Sequence, residues 1–423
     1  MTAGAEDRVL ARIDELGDEL MELTAALANA YSRPGNEHEP AAIVREWLER
    51  LDLPYEVHGS SPERPSIVSR VGGGEPAAFT SLVFNSHLDQ PFSVEDDHLR
   101  LRNHLDPKYT QAWIDGERVY GYGAVNDKGP MAAWMIAAKA IREAAGFVGG
   151  DLYLTMVSGE IGQAPVDEYQ GPRFDGCGMG ARDVAAVVRA DYALVAEATA
   201  FTTVWVEAGK ADFKLTLFGD KSYYTPYIPR ENPSAILHAA KLIPLLDEWA
   251  LAYRDRETVV LDGGTVVPKV NIGCIRSGVP YNLERTPEVC HLYLDVRTVP
   301  GADPEVIRRE LEQLVAGAGL DGAVELYAFH AGAQAVGIEP LLEVLERAHE
   351  AELGAPMAPA QPETSSMWRD IVPFIEAGIP ALTYGPAAPV GDTADFFMER
   401  SDLLAAARVY ARVALELCNR ERL

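Results

Sequence analysis

Three short apolar runs, each closing on an imidazole or a carboxylate, constrain this chain more than any other feature. SLVFNSHLD (81–89) ends at His87 and Asp89, DLYLTMVSGEIG (151–162) at Glu160, and YALVAEAT (192–199) at Glu197. Runs this short and apolar read as buried strands. Between the first two, the glycine-rich turn GYGAVNDKG leads into a small-residue helix from about Pro130 to Ala144. Strands that alternate with helices imply an α/β domain with a mainly parallel sheet. Ligands gather at the carboxyl ends of such strands, which is where His87, Glu160 and Glu197 fall.

The texture changes at about Ala208. DFKLTLFG, KVNIGCIRSG and EVCHLYLDVRTV read as half-exposed or buried strands, and ENPSAILHAAKLIPLLDEW and PEVIRRELEQLV as helices. Two helices against an antiparallel sheet make an α+β insert that ends near His330. After it, PLLEVLERAHEAEL and IPALTYGP return to the first texture, and an amphipathic helix carrying Leu10, Ile13, Leu16, Leu20 and Leu23 opens the chain. The expected plan is a catalytic domain in two parts, residues 1–207 and 331–423, interrupted by a lid or dimerisation domain at 208–330.

Composition narrows the partners. Against 37 Lys and Arg stand 64 Asp and Glu, a formal charge of −27 in 423 residues. A chain this acidic is not expected to bind nucleic acid or an anionic membrane, both polyanions. Its first twenty residues are acidic and helical, unlike a signal peptide, and no uncharged apolar run reaches the ~18 residues of a membrane span. The scattered Cys177, Cys274, Cys290 and Cys418 contain no CxxC pair. Reduced thiols and a cytoplasmic location are expected.

These motifs, in this order and over nearly the whole chain, resemble the metallopeptidase family of acetylornithine deacetylase, succinyl-diaminopimelate desuccinylase, glutamate carboxypeptidase and aminoacylase. The resemblance implies an α/β catalytic domain of zinc-peptidase type with an inserted lid. SHLDQP is similar to the family's first metal motif, with His87 as ligand and Asp89 as the acid orienting its imidazole. GYGAVNDKG resembles the turn with the bridging carboxylate, SGEIG the paired-glutamate motif, and VAEAT the segment supplying Glu197 as a ligand. GDKSYYTP resembles the lid motif with a transition-state histidine. PYNL and LDVRTV resemble substrate-carboxylate motifs, matched by Asn282 and Arg297. A structural pairing of Arg297 with Asp295 is the competing reading of that arginine. GIPALTYGP and GDTADFFMERSDLL resemble the segment carrying the last histidine ligand.

The departures from the family pattern are chemical. Asn126 stands at the bridging aspartate, Gly159 at the general-base glutamate, Tyr223 at the lid histidine and Asp392 at the last histidine ligand, while Glu160 matches the metal-binding glutamate. An amide offers one neutral oxygen where a carboxylate would place a full charge between two cations. One divalent metal per chain is therefore expected, from the candidates His87, Asn126, Glu160, Glu197 and Asp392. The oxygen-rich set favours manganese, with zinc and magnesium as alternatives. Which residues form the final cage is left open at this level. Tyr223, Tyr224 and Ser158 are candidates to handle the proton that no glutamate can take at Gly159.

The expected activity is hydrolysis of a C–N bond in a small carboxylate. Within the family, hydrolytic deamination of 5-nitroanthranilate to 5-nitrosalicylate fits a remodelled one-metal site, because a nitro group para to the amine makes the ring carbon electrophilic. The alternatives are an amidohydrolase (a deacylase or dipeptidase) with a relocated base, and a catalytically inactive binding protein. A homo-oligomer through the lid is expected from the resemblance.

Overall fold

The computed structural model describes residues 4–72, 78–92, 107–146, 148–220, 225–226, 233–389 and 395–422. A seven-stranded sheet forms its centre, in the order Tyr55–His58, Ser66–Val71, Leu152–Val157, Leu82–His87, Tyr192–Ala196, Ala381–Tyr384, Thr203–Val204. The four strands from Leu152–Val157 to Ala381–Tyr384 run parallel, and the outer ones join antiparallel. Every residue of Leu82–His87 and of Ala381–Tyr384 is buried. That is the pattern expected of strands covered on both faces.

The helix Gly129–Ala144 covers one face, wedged between the Leu82 strand and the helices Ala5–Glu15 and Arg400–Leu417. Its run of alanines lets these neighbours approach closely. On the other face the short helices Met179–Ala185 and Ile371–Glu376 pack against the sheet.

Between residues 209 and 330 the chain forms a separate antiparallel sheet, ordered Val270–Ser277, Val289–Thr298, Gly209–Phe218, Gly322–His330. Helices Ala235–Glu257 and Pro304–Gly317 bury Leu242, Leu246, Ile307 and Leu311 with it in a second core. The first of these helices starts where Ser234 accepts a hydrogen bond from the Leu237 N–H. It runs past Trp249, where the sequence motif ended, because LAYRDRE continues with good helix formers. Arg276 of this insert reaches Glu168 of the catalytic domain at 2.6 Å.

Candidate metal centre

Register decides what meets at the carboxyl edge of the large sheet. Asn85 lies beside Val195, and His87 beside Val157. The residues just past these levels, Glu160 and Glu197, therefore emerge next to His87. Below them Trp134 donates through Nε1 to Ser86 Oγ (3.0 Å), pinning the strand to the covering helix.

The glycine-rich turn supplies the remaining carboxylate. At Asn126 and Asp127 the backbone leaves helical values (φ −125°, ψ 89° and φ −128°, ψ 35°) before the helix begins. It is Asp127 whose carboxylate joins the cluster: its Oδ2 lies 3.1 Å from His87 Nε2. Asn126 Oδ1 is buried and finds no hydrogen-bond donor among the described residues. Lys128, fully buried, donates to the carbonyls of His87 (3.2 Å) and Asp89 (2.9 Å), tying turn to strand end.

His87 Nδ1 faces the Asp89 carbonyl oxygen at 2.9 Å. With the proton on Nδ1, that contact leaves the Nε2 lone pair directed at the cluster. The Asp89 carboxylate stands 3.6 Å from the same nitrogen. It accepts from the N–H groups of Gly159, Glu160 and Ile161 at 3.1, 3.2 and 2.9 Å, so it shapes the SGEIG turn as well.

Ligand atoms of His87, Asp127 and Glu197 all lie within 4.8 Å of one another, and all three residues are buried. Glu160 Oε2 is 3.9 Å from His87 Nε2. Burial, Asp370 and Asp89 push the Glu160 carboxyl up to about 8 against the pull of His87. Burial and then Asp127 hold that of Glu197 well above the usual range, against Arg369. Burial opposes charge on His87, yet Asp127, Asp89 and Glu160 together raise its pKa well above the ordinary value. Acids crowded this way around one imidazole repel unless a cation lies among them, so the donor set fits a divalent metal.

Arg369 completes the centre and was not singled out from the sequence. Its Nε donates to Glu197 Oε2 (3.2 Å), and its Nη1 to Glu207 Oε1 (2.8 Å) and the Thr364 carbonyl (2.7 Å). Asp127 was also missed, although DKG names it within the very motif that drew attention to Asn126. Asp370 was missed as well; it accepts from Asn85 Nδ2 at 3.0 Å, close behind His87. The available signal was the charged pair Arg369–Asp370 set between Trp368 and the apolar stretch IVPF.

Of the other sequence candidates, Tyr223, Tyr224 and Asp392 lie outside the described residues. Asn282 is exposed on the insert. Arg297 donates through Nε and Nη2 to both oxygens of Asp295, at 2.9 and 3.0 Å. Ser158 is buried and donates to the Pro65 carbonyl.

Gly159 has φ +77°, and a Cβ there would lie 2.5 Å from Arg64 Nη2 and 2.7 Å from Met179 Cγ. Arg64 cannot swing aside easily. It is buried, paired with Glu37 at 3.0 Å and donating to the Pro172 and Asp175 carbonyls. Gly159→Ala is therefore expected to destabilise the protein by about 2–4 kcal/mol, from left-handed backbone strain plus overpacking. Equilibrium denaturation measures it, and a wild-type midpoint would contradict the crowding.

A model of the peptidase family M20/M25/M40 matches residues 83–416. The chain belongs to that family. This M20/M25/M40 member is 29% identical over 158 residues to N-formyl-4-amino-5-aminomethyl-2-methylpyrimidine deformylase of Bacillus subtilis, covering 36% of this chain and 35% of the deformylase. The match thus spans about a third of that relative's length. Among solved structures, human carnosine dipeptidase 1 superposes with a TM-score of 0.70 at 14% identity, covering 98% of this chain and 100% of the dipeptidase. YXEP of Bacillus subtilis, a dinuclear metal-binding peptidase of the M20 family, gives 0.61 at 16% identity, covering 96% and 99%. At these identities the two structures establish the fold alone, an α/β domain with an inserted α+β domain.

Proposed function

We propose that this M20/M25/M40 member is a metal-dependent hydrolase that breaks a C–N bond in a carboxylate-bearing small molecule. Its most specific form is hydrolytic deamination of 5-nitroanthranilate: with water, the substrate gives 5-nitrosalicylate and ammonia. The observation that carries the reading is the pairing of a retained ligand cluster with Gly159. His87, Asp127 and Glu197 keep a cation-binding geometry, while the place of the peptidase base holds a glycine crowded by Arg64. An activated aromatic carbon is the substrate that least needs that base, because its transition-state charge spreads into the ring and nitro group.

A bound divalent cation supplies Lewis acidity at this centre, and we expect one manganese per chain. The protein's own contributions are positional. His87 is held with Nε2 toward the cluster, and Arg369 fixes Glu197. Arg297 and Asn282 on the lid are assigned to the substrate carboxylate; since Asp295 takes Nε and one hydrogen of Nη2 of Arg297, the carboxylate would use Nη1 with the second Nη2 hydrogen, or displace Asp295. Tyr223 is assigned to protonate the departing amine. A homo-oligomer through the lid and a cytoplasmic setting complete the proposal. Among the described residues, no helix is long and apolar enough to cross a membrane.

The likeness to the deformylase favours a second reading, an amidohydrolase with a relocated base. Incubating the manganese-loaded protein with 5-nitroanthranilate should release ammonia and 5-nitrosalicylate, while N-acyl amino acids stay intact. Cleavage of N-acyl or N-formyl substrates with the nitroaromatic untouched would replace the first reading by the second. Failure to bind any divalent metal would leave only an inactive binding protein.

A further inference from the structure

The sheet of the insert carries a line of basic residues on its polar face. Its other face is buried with the two helices, through Ala211, Phe213, Leu294 and Val296, so the residues alternating with these turn the opposite way. Register sets Lys210 beside Arg297 and beside His330. The Arg297 N–H donates to the Lys269 carbonyl at 2.7 Å. Lys269, Arg297, Lys210 and His330 therefore cross the four strands in one row. The row meets the catalytic domain: Lys210 Cε lies 3.3 Å from where Gly162 would carry a Cβ.

Three of the four carry no net charge into that interface. Arg297 is forked on Asp295, and Lys210 is paired with Asp212. Burial, then Arg182 and Lys210, lower the His330 imidazole to about 4, so it is neutral at pH 7. Lys269 differs. Among the described residues its ammonium pairs with no carboxylate, and its hydrogen bond goes to Met367 Sδ at 3.5 Å, a weak acceptor. The residue is exposed to solvent.

That contact lies on a short route to the metal centre. Val267 N–H donates to Ser366 Oγ at 2.8 Å, and Ala208 N–H to the Ser365 and Met367 carbonyls at 3.2 and 3.1 Å. The base of the insert is thereby tied to residues 365–367, and two residues further on Arg369 holds Glu197. Burial of part of the Lys269 side chain, then Arg297 and Arg369, lower its ammonium pKa against the weaker pull of Asp295 and Glu363. Three cations thus approach one another here with too little negative charge among them.

We propose that Lys269 is a specificity-determining residue, which with Arg297 beside it holds the carboxylate of the substrate at the junction of insert and catalytic domain. Arg297 alone brings Asp295 with it, and that carboxylate repels an incoming anion as strongly as the guanidinium attracts it. Lys269 supplies the charge that the pair lacks, so one substrate carboxylate neutralises the group. A carboxylate oxygen is also a far better acceptor for the ammonium than the Met367 thioether. The inference rests on the carboxylate-substrate reading above and names the group that makes the site select an anion.

The test is binding rather than turnover. The full chain, loaded with manganese, is titrated calorimetrically with 3-nitrobenzoate and with 3-nitrobenzamide, which has the same ring and no charge. The wild type should bind the carboxylate more tightly. Lys269→Met should weaken 3-nitrobenzoate by about tenfold or more, the scale of a hydrogen bond to a charged group, while leaving 3-nitrobenzamide and the manganese affinity unchanged. Lys269→Arg should keep the preference. Lys269→Gln repeats the measurement with a neutral polar side chain, so misfolding of the Met variant does not remove the test. A preference that survives both neutral variants in full would overturn the role of Lys269 and leave the carboxylate reading to Arg297. Weakening of both probes alike, or loss of manganese, in a folded neutral variant would show a structural role and overturn the proposal as well. Equal affinities for the two probes in the wild type, or no binding of either, would overturn the carboxylate reading itself and the role of Lys269 with it.

Discussion

Asp127→Ala is expected to lose its divalent metal and, with it, hydrolytic activity. Asp127 puts a charged oxygen 3.1 Å from His87 Nε2 and, with Glu197, completes the buried three-residue cluster. Removing a mere supporting contact to a ligand costs about 10–100-fold in metal affinity, so removing a charged ligand from a buried three-residue set should cost well over a hundredfold. Isothermal titration with manganese and elemental analysis of the dialysed protein measure this directly. Asn126→Ala should be much milder, because an amide contributes no charge. Asn126→Asp should instead raise affinity for a second cation by adding an anion beside the first site. The assignment would be reversed if Asp127→Ala kept its metal while Asn126→Ala lost it. Two tightly held metals in the wild type would refute the one-metal expectation.

Arg369→Ala should destabilise the fold as well as the site. Glu197 and Glu207 are both buried, and Arg369 is the cation that bridges them. Removing one partner from a buried charge network leaves the others uncompensated, at a cost of about 3–5 kcal/mol. Burial already pushes the Glu207 carboxyl up to about 7 with Arg369 present; without the guanidinium it must rise further. Denaturation at neutral pH should show the loss, and manganese should restore part of it by supplying charge at Glu197. Arg369→Lys should keep much of the stability but hold Glu197 less firmly, since a point charge cannot serve two carboxylates and a carbonyl as a planar fork does. An Arg369→Ala variant as stable as the wild type would show that the pairing contributes nothing net.

The periodicity of the chain was sufficient for the architecture because burial leaves its mark residue by residue. A strand covered on both faces is mainly apolar, so SLVF and LYLTMV announce themselves, and turn residues mark where such strands stop. The same local signal located His87, Glu160 and Glu197 at strand ends. Only the resemblance to the family set Gly159 against the position of a general-base glutamate; the burial pattern says nothing of it.

Tertiary structure alone decided between Asn126 and Asp127. They are neighbours in one motif, and which side chain turns toward His87 depends on the backbone path through residues 124–128, where helical φ/ψ breaks down. It alone brought Arg369 to Glu197 across 172 positions, and Arg64 against Gly159. It alone packed the rings of Phe92, Tyr109, Tyr122 and Phe396 against one another. Electrostatic partners and ring contacts act through space at a few ångströms and impose no period on the sequence, so nothing local records which distant residue will arrive.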